Sequence, residues 1–262
     1  MKIRFAYLLF YCNFKLSNYG AMEYPLMEWT DERVKRFWDY ESNFPGNYFT
    51  FQVGQNLLPL IKKYAGRNSL VLDYGSGPGF LLKHLTGGGF RTAALEFSGD
   101  SLEKIRAQFG NCENFAGAFS MEEITDKGLS FDVVTLIEVI EHLDDHYLTL
   151  TMDNIRKLLK PGGLLLITTP NNEDLSKTLI ICPESGRLFH RWQHVRSWNK
   201  DSLVTFLKEQ GFLILKAGVT DFNFEGRYSA FLKPGAYMKF IYRKLFKEGS
   251  LPHLFCLCTA GK

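Results

Sequence analysis

Three observations in this sequence predict a doubly wound α/β fold. Beyond residue 68, short apolar runs alternate with helical stretches; the first run passes straight into a glycine-dense turn that opens a helix; and two further strand-like runs stand in the tail. A chain of 262 residues, 45% hydrophobic and 23% charged, has ordinary globular usage and the length of one large domain with additions. The expected division is an extension at 1–28, a helical cap at 29–66, and a main domain at 67–262 that includes a lid-like insertion at 221–250.

In chain order, Lys2 and Arg4 precede an apolar run at 5–10 that is too short to cross a bilayer and lacks a small-x-small cleavage site after it. It reads as an extra packed strand or helix, or as sequence upstream of a start at Met22 or Met27. Between 29 and 64 the spacing is helical: Thr30 and Asp31 look like a cap, Val34, Phe37, Trp38 and Tyr40 recur at helical intervals, and Pro45 interrupts. A second helix runs from about 48 to 63, with Leu57, Leu58, Leu60 and Ile61 apolar. Strands are expected at 69–74, 91–96, 112–117, 131–137 and 163–169. Helices fill 80–85, 101–109 and 145–159, the last closing on Lys160-Pro161-Gly162-Gly163. The tail brings a helix at 200–209 and strands at 212–220 and 253–259.

The densest chemistry lies in Val71-Leu72-Asp73-Tyr74-Gly75-Ser76-Gly77-Pro78-Gly79-Phe80. Gly75, Gly77 and Gly79 let the backbone approach a ligand closely, one residue tighter than the G-x-G-x-x-G of a dinucleotide loop. Asp73 would repel a pyrophosphate but accept hydrogen bonds from an ammonium group, which argues against a dinucleotide. Glu96, ending the second strand, offers two acceptor oxygens to the vicinal hydroxyls of a ribose. Phe97 and Phe119 either cover the faces of a purine or belong to the core.

Taken in order, Leu72-Asp73-Tyr74-Gly75-Ser76-Gly77-Pro78-Gly79, Ala94-Leu95-Glu96, Phe131-Asp132-Val133-Val134 and Leu159-Lys160-Pro161-Gly162-Gly163 resemble class I S-adenosylmethionine-dependent methyltransferases over about residues 68–220. Glu138-Val139-Ile140-Glu141-His142-Leu143 is similar to the branch that includes the ubiquinone-pathway O-methyltransferases. The resemblance implies a Rossmann-like, seven-stranded sheet with an antiparallel last strand, 253–259 inserting between the fifth strand and 212–220, and an inserted helix between strands six and seven. It also implies S-adenosyl-L-methionine as cofactor, with Asp73, Gly75, Ser76 and Gly77 at the methionine half and Glu96 at the ribose. By the same carry-over, Phe97 and Phe119 meet the adenine, and Ile137 and Glu138 lie near the sulfonium. Where relatives often carry an acid, this chain has Ala118, which passes the adenine amine to Ser120, a backbone group or water.

The implied activity is O-methylation of a small molecule such as a sugar, a phenol or a lipid-linked intermediate. In-line transfer needs alignment and desolvation, and a hydroxyl acceptor also needs a base. His142 and His194 are the catalytic candidates, with His190 and Glu138 also within the set; His142 reads either as a base or as a group that orients its loop. Glu138, Glu141 and His142, at i, i+3 and i+4, would share one face of a helical turn. With His194 they resemble the metal cluster of small-RNA 2′-O-methyltransferases, a competing reading beside a non-catalytic cofactor-binding module; no metal is assigned for a small-molecule enzyme.

The basic and aromatic run at 187–198 reads as acceptor capture or as a solvated loop. Tyr237, Met238, Ile241, Tyr242, Leu245 and Phe246 take one half of a helical wheel and Lys239, Arg243, Lys244 and Lys247 the other, which suits a lid over the pocket or a membrane-surface contact through 236–247. If 29–63 and 234–247 roof the pocket, Phe37, Trp192 and Tyr237 are acceptor contacts. A net charge of +3 does not by itself announce a nucleic-acid partner. Five cysteines without a C-x-x-C pair fit reduced thiols in a cytoplasmic protein.

Overall fold

The computed structural model describes residues 24–66, 68–224 and 234–261; the expectations placed on 1–23 and on 225–233 lie outside them. Thr30 caps the first helix, α1 (Asp31–Glu41), by accepting from the Arg33 backbone N–H. A single 3-10 turn at Pro45–Asn47 separates it from α2 (Phe49–Tyr64). The alternation then runs β1 (Leu70–Tyr74), α3 (Phe80–Gly87), β2 (Arg91–Leu95), α4 (Gly99–Phe109), β3 (Phe115–Phe119), α5 (Met121–Asp126), β4 (Phe131–Ile137), α6 (Asp145–Leu158) and β5 (Leu159–Pro170). The tail holds a small hairpin of β6 (Leu179–Ile181) and β7 (Leu188–His190), then α7 (Lys200–Glu209), β8 (Phe212–Thr220), α8 (Pro234–Phe246) and β9 (His253–Ala260).

Seven strands form one sheet in the order β3-β2-β1-β4-β5-β9-β8. The first five pair in parallel, and β9 runs antiparallel to both β5 and β8, as the resemblance implied. Helices cover both faces, so strand residues alternate between two cores. Val71 and Val133 pack with Leu57 of α2 and Leu81 of α3, whereas Leu72 and Val134 pack with Met152 and Ile155 of α6.

Three differences from the sequence expectation have local causes. β3 begins at Phe115 rather than 112, because Cys112 is used in the turn leaving α4: its N–H donates to the Phe109 carbonyl, and its own carbonyl accepts from Phe115. The unforeseen α5 is nucleated by a capping box in which Ser120 and Glu123 satisfy each other's backbone N–H groups. On α8 the expected apolar half-wheel does not pack as a unit. Phe240, outside that set, is the buried anchor, stacked on Phe224 and beside Tyr237, while Met238, Tyr242, Leu245 and Phe246 are exposed.

Candidate functional site

Parallel strands gather their carboxyl ends on one edge of the sheet, where ligands bind in open α/β folds. At that edge the chain leaves β1 through Gly75, Gly77 and Gly79, whose φ angles of +72°, +52° and +87° lie in the left-handed region. The Gly75 N–H donates to the Leu95 carbonyl at 2.9 Å and the Gly77 N–H to Oε2 of Glu96 at 2.7 Å, which ties the glycine loop to the end of β2. Oε1 of Glu96 accepts from the backbone of Phe97 and Ser98 at 2.8 and 2.9 Å. Burial nonetheless raises the Glu96 carboxyl above its ordinary range.

Asp73 is buried beneath the loop, where desolvation pushes it up to about 7 against the opposing effect of the Thr135 hydroxyl, 3.0 Å away. The hydroxyl of Ser76 is also buried, with no protein partner. Asp73, Glu96 and the orphaned Ser76 Oγ around the left-handed glycine loop therefore fit a ligand that brings a cation and hydroxyl donors, as the ammonium and ribose of S-adenosylmethionine would.

The aromatic candidates separate. Phe97 is 65% exposed beyond β2 and presents a free face. Phe119 is buried in the core, its ring folded under Gly117 with Lys127 over it at 5.9 Å, so the structure does not bring it beside Phe97. Ser120 spends its hydroxyl as acceptor for the Glu123 N–H at the start of α5. The Ala118 carbonyl accepts two bonds from the Arg106 guanidinium, which also reaches Glu123. Ile137 is buried at the end of β4. Two cap residues that sequence reasoning did not place here approach the site: the Tyr48 ring lies against Gly77, and Trp38 meets the His142 ring edge-on at 4.8 Å.

The second half of the site follows β4. Glu138 adopts φ +52°, a left-handed conformation that a side chain resists, so the expected helical face of Glu138, Glu141 and His142 does not form. Glu138 accepts from the Thr168 hydroxyl at 2.8 Å, and burial pushes it up to about 8. Glu141 accepts from Thr169 at 2.9 Å while its Oε1 is buried without a partner, and burial together with the Glu138 charge lifts it well above the carboxylate range. Burial, with His194 adjacent, lowers His142 to about 3, so its ring is neutral.

His194 comes from the loop after β7 and is hydrogen-bonded through Nδ1 to Glu173. His190 stacks on it at 4.5 Å and 18°, with Nε2 3.5 Å from the same carboxylate. Backbone N–H groups of Trp192 and His194 donate to Nδ1 of His190, which leaves its proton on Nε2. Burial alone would raise Glu173, but the bonds from His190 and His194 outweigh it and hold the carboxyl at about 2. One donor atom each of Glu141, His142 and His194 lie within 4.8 Å of one another, as do those of Glu173, His190 and His194; Glu138 belongs to neither set. Glu173 carried no sequence signal, since only the fold returns the loop after β5 to His194.

Gln193, at φ +61°, joins the cap to this cluster: its Nε2 donates to the His142 carbonyl at 3.0 Å and its Oε1 accepts from Trp38 Nε1 at 3.1 Å. Elsewhere in the 187–198 run, Arg196 donates to the Leu143 carbonyl and Asp145, Arg187 to the Leu26 carbonyl, and Trp198 is core. Arg191 lies over the Trp192 ring at 5.0 Å. Phe37 packs between Trp29 and Trp38, and Tyr237 against Phe240.

Comparison with known proteins places this arrangement. The family described as a methyltransferase domain matches residues 48–217. The highly reducing polyketide synthase of Aspergillus aculeatus is 30% identical over 183 residues, 61% of this chain and 7% of that protein. The ubiquinone biosynthesis O-methyltransferase of Mesorhizobium japonicum is 30% identical over 103 residues, 38% of this chain and 41% of that protein, so this chain spans well under two thirds of either relative. The 1,6-didemethyltoxoflavin-N1-methyltransferase of Burkholderia thailandensis, solved with S-adenosylhomocysteine, superposes with a TM-score of 0.62 at 14% identity, covering 94% of this chain and 99% of that one. With the glycine loop and Glu96 both inside the matched stretch, and the sheet folded as in that S-adenosylhomocysteine-bound enzyme, the chain belongs to the methyltransferase-domain family.

Proposed function

We propose that this enzyme methylates a hydroxyl group of a small-molecule acceptor, with His194 as the base. The observation that carries the reading is the Glu173–His194 pair at the carboxyl edge of the sheet. The cofactor supplies an electrophilic methyl group on a sulfonium. Asp73 and Ser76 hold its amino-acid half, Glu96 its ribose, and Phe97 one face of its purine. His194 donates Nδ1–H to Glu173, which leaves Nε2 as the acceptor for a hydroxyl proton. Glu173, held at about 2, stays ionised and stabilises the imidazolium that forms. His142, lowered to about 3, is too weak a base near neutrality and positions the loop through Gln193 and Trp38. A hydroxyl acceptor agrees with the O-methyltransferase activity of the ubiquinone-pathway relative.

The test is transfer of labelled methyl to a panel of phenols, catechols, sugars and lipid-linked alcohols, with and without chelator. His194→Ala and Glu173→Gln are expected to slow transfer by about 10²–10⁴-fold while leaving cofactor affinity unchanged. Activity that requires a divalent ion, with steeply salt-dependent oligonucleotide binding, would replace this reading with the RNA 2′-O-methyltransferase one, for which the unpartnered Glu141 Oε1 and His142 Nδ1 are the favourable observation. Cofactor binding without turnover on any acceptor class would reduce the protein to a binding module.

A further inference from the structure

α8 has two apolar faces, and only one is covered. Phe240 is buried, with Tyr237 and Ile241 packed beside it against the core. Roughly 180° around the helix, at 100° per residue, stand Met238, Tyr242, Leu245 and Phe246, exposed to 66%, 53%, 70% and 72%. They recur at i, i+4, i+7 and i+8, so they make a stripe rather than scattered surface residues. The same segment carries Lys239, Arg243, Lys244 and Lys247 and no acidic residue from 234 to 247. Lys239 and Lys247 are exposed, and Lys244 reaches back over the Phe240 ring at 5.2 Å.

We propose that this outward stripe seats on an anionic lipid surface and docks the enzyme peripherally, a property independent of the acceptor assigned above. Charge complementarity selects the occupant. Arg243 is held by Ser250 and Lys244 is turned to Phe240, so Lys239 and Lys247, exposed and with no acid from 234 to 247, are the cations that suit phosphate headgroups, their stems lying along the interface while the apolar side chains enter it. A second copy of this chain would set lysine against lysine. It would also bury only roughly 500 Å² per partner through four side chains, short of the about 800 Å² of a stable protein interface. No helix among the described residues is long and apolar enough to cross a membrane, so the contact is lateral.

Position gives the contact a use. Asn171, directly after β5, donates Nδ2 to the carbonyls of Gly249 and Leu251 at 3.1 and 2.8 Å. The segment following α8 is thereby fastened to the sheet edge where Thr168 and Thr169 hold Glu138 and Glu141. The chain leaving α8 is thus anchored at the edge that carries the site.

Co-sedimentation with phosphatidylcholine vesicles, with and without phosphatidylglycerol, tests the proposal on the full chain. Binding is expected only to the anionic vesicles and should weaken with added salt. Leu245→Asp with Phe246→Asp should lower the bound fraction by at least about tenfold with cofactor affinity and melting temperature intact, because both side chains are exposed. Lys239→Glu with Lys247→Glu should abolish the preference for phosphatidylglycerol. Absence of binding to anionic vesicles at low salt, or unchanged binding by both double variants, overturns the proposal. A concentration-dependent dimer that the aspartate variant dissolves, with no vesicle binding, assigns the stripe to a second copy instead. Methyl transfer is not the readout, so failure here leaves the acceptor assignment standing.

Discussion

In the proposed role of Asp73, a buried carboxyl trades fold stability for ligand binding. Its folded-state pKa of about 7 lies above the unfolded value of 3.8, so the native state binds the extra proton across that window. Stability from this group is therefore full below about pH 4 and is lost as pH rises through 7, by at most about 4 kcal/mol. Asp73→Asn should accordingly raise the melting temperature at pH 8 while weakening S-adenosylhomocysteine binding by at least about tenfold; a variant that is destabilised and still binds refutes the role. For the wild type, pairing with an ammonium requires ionised Asp73. Affinity should fall by up to about tenfold per pH unit below 7 and level off above it, with proton release on binding near pH 6. Calorimetry in buffers of different ionisation enthalpy reads both effects, and a flat profile from pH 5.5 to 8.5 would contradict them.

Among the elements, the glycine loop and α8 make opposite demands on single substitutions. A Cβ at Gly77 would stand 2.9 Å from Cε1 of Tyr48 at a φ of +52°, so Gly77→Arg combines backbone strain with displacement of the cap. It should cost about 1–3 kcal/mol and abolish cofactor binding. On α8, Phe240→Ala should cost about 3 kcal/mol by urea unfolding and Tyr242→Ala under about 0.5, because the first empties a buried position and the second trims an exposed one. Equal costs would contradict the orientation of the helix. The strands and the glycine loop were legible in sequence because their signals are local: short apolar runs, a cluster of glycines directly after one of them, and Thr30 at a helix start. The wheel of α8 misled because apolar residues lie almost all round it, and periodicity alone does not say which arc meets the core. The turn at Glu138 was illegible for another reason, since spacing assumed a helical φ that the chain does not adopt.

On the scale of the whole molecule, the site is assembled across distances that no local pattern encodes. Trp38 meets Gln193 across 155 residues, and Glu173 meets His194 only because the chain after β5 folds back over the carboxyl edge. Asp73, the glycine loop and Glu96, concentrated in one βαβ unit, were readable as a set that the structure brings together, while Phe119 and Ser120 fall outside it; of the proposed acid–base pair, His194 was readable and Glu173 was not. Family membership rests on the match across 48–217, which takes in both halves of the site. The most direct measurement is isothermal titration of the wild type and of Gly77→Arg with S-adenosylhomocysteine. The wild type should bind with a dissociation constant on the order of micromolar and Gly77→Arg should give no heat. Silence from the wild type with S-adenosylhomocysteine, alongside heat from a nicotinamide dinucleotide, would contradict the account.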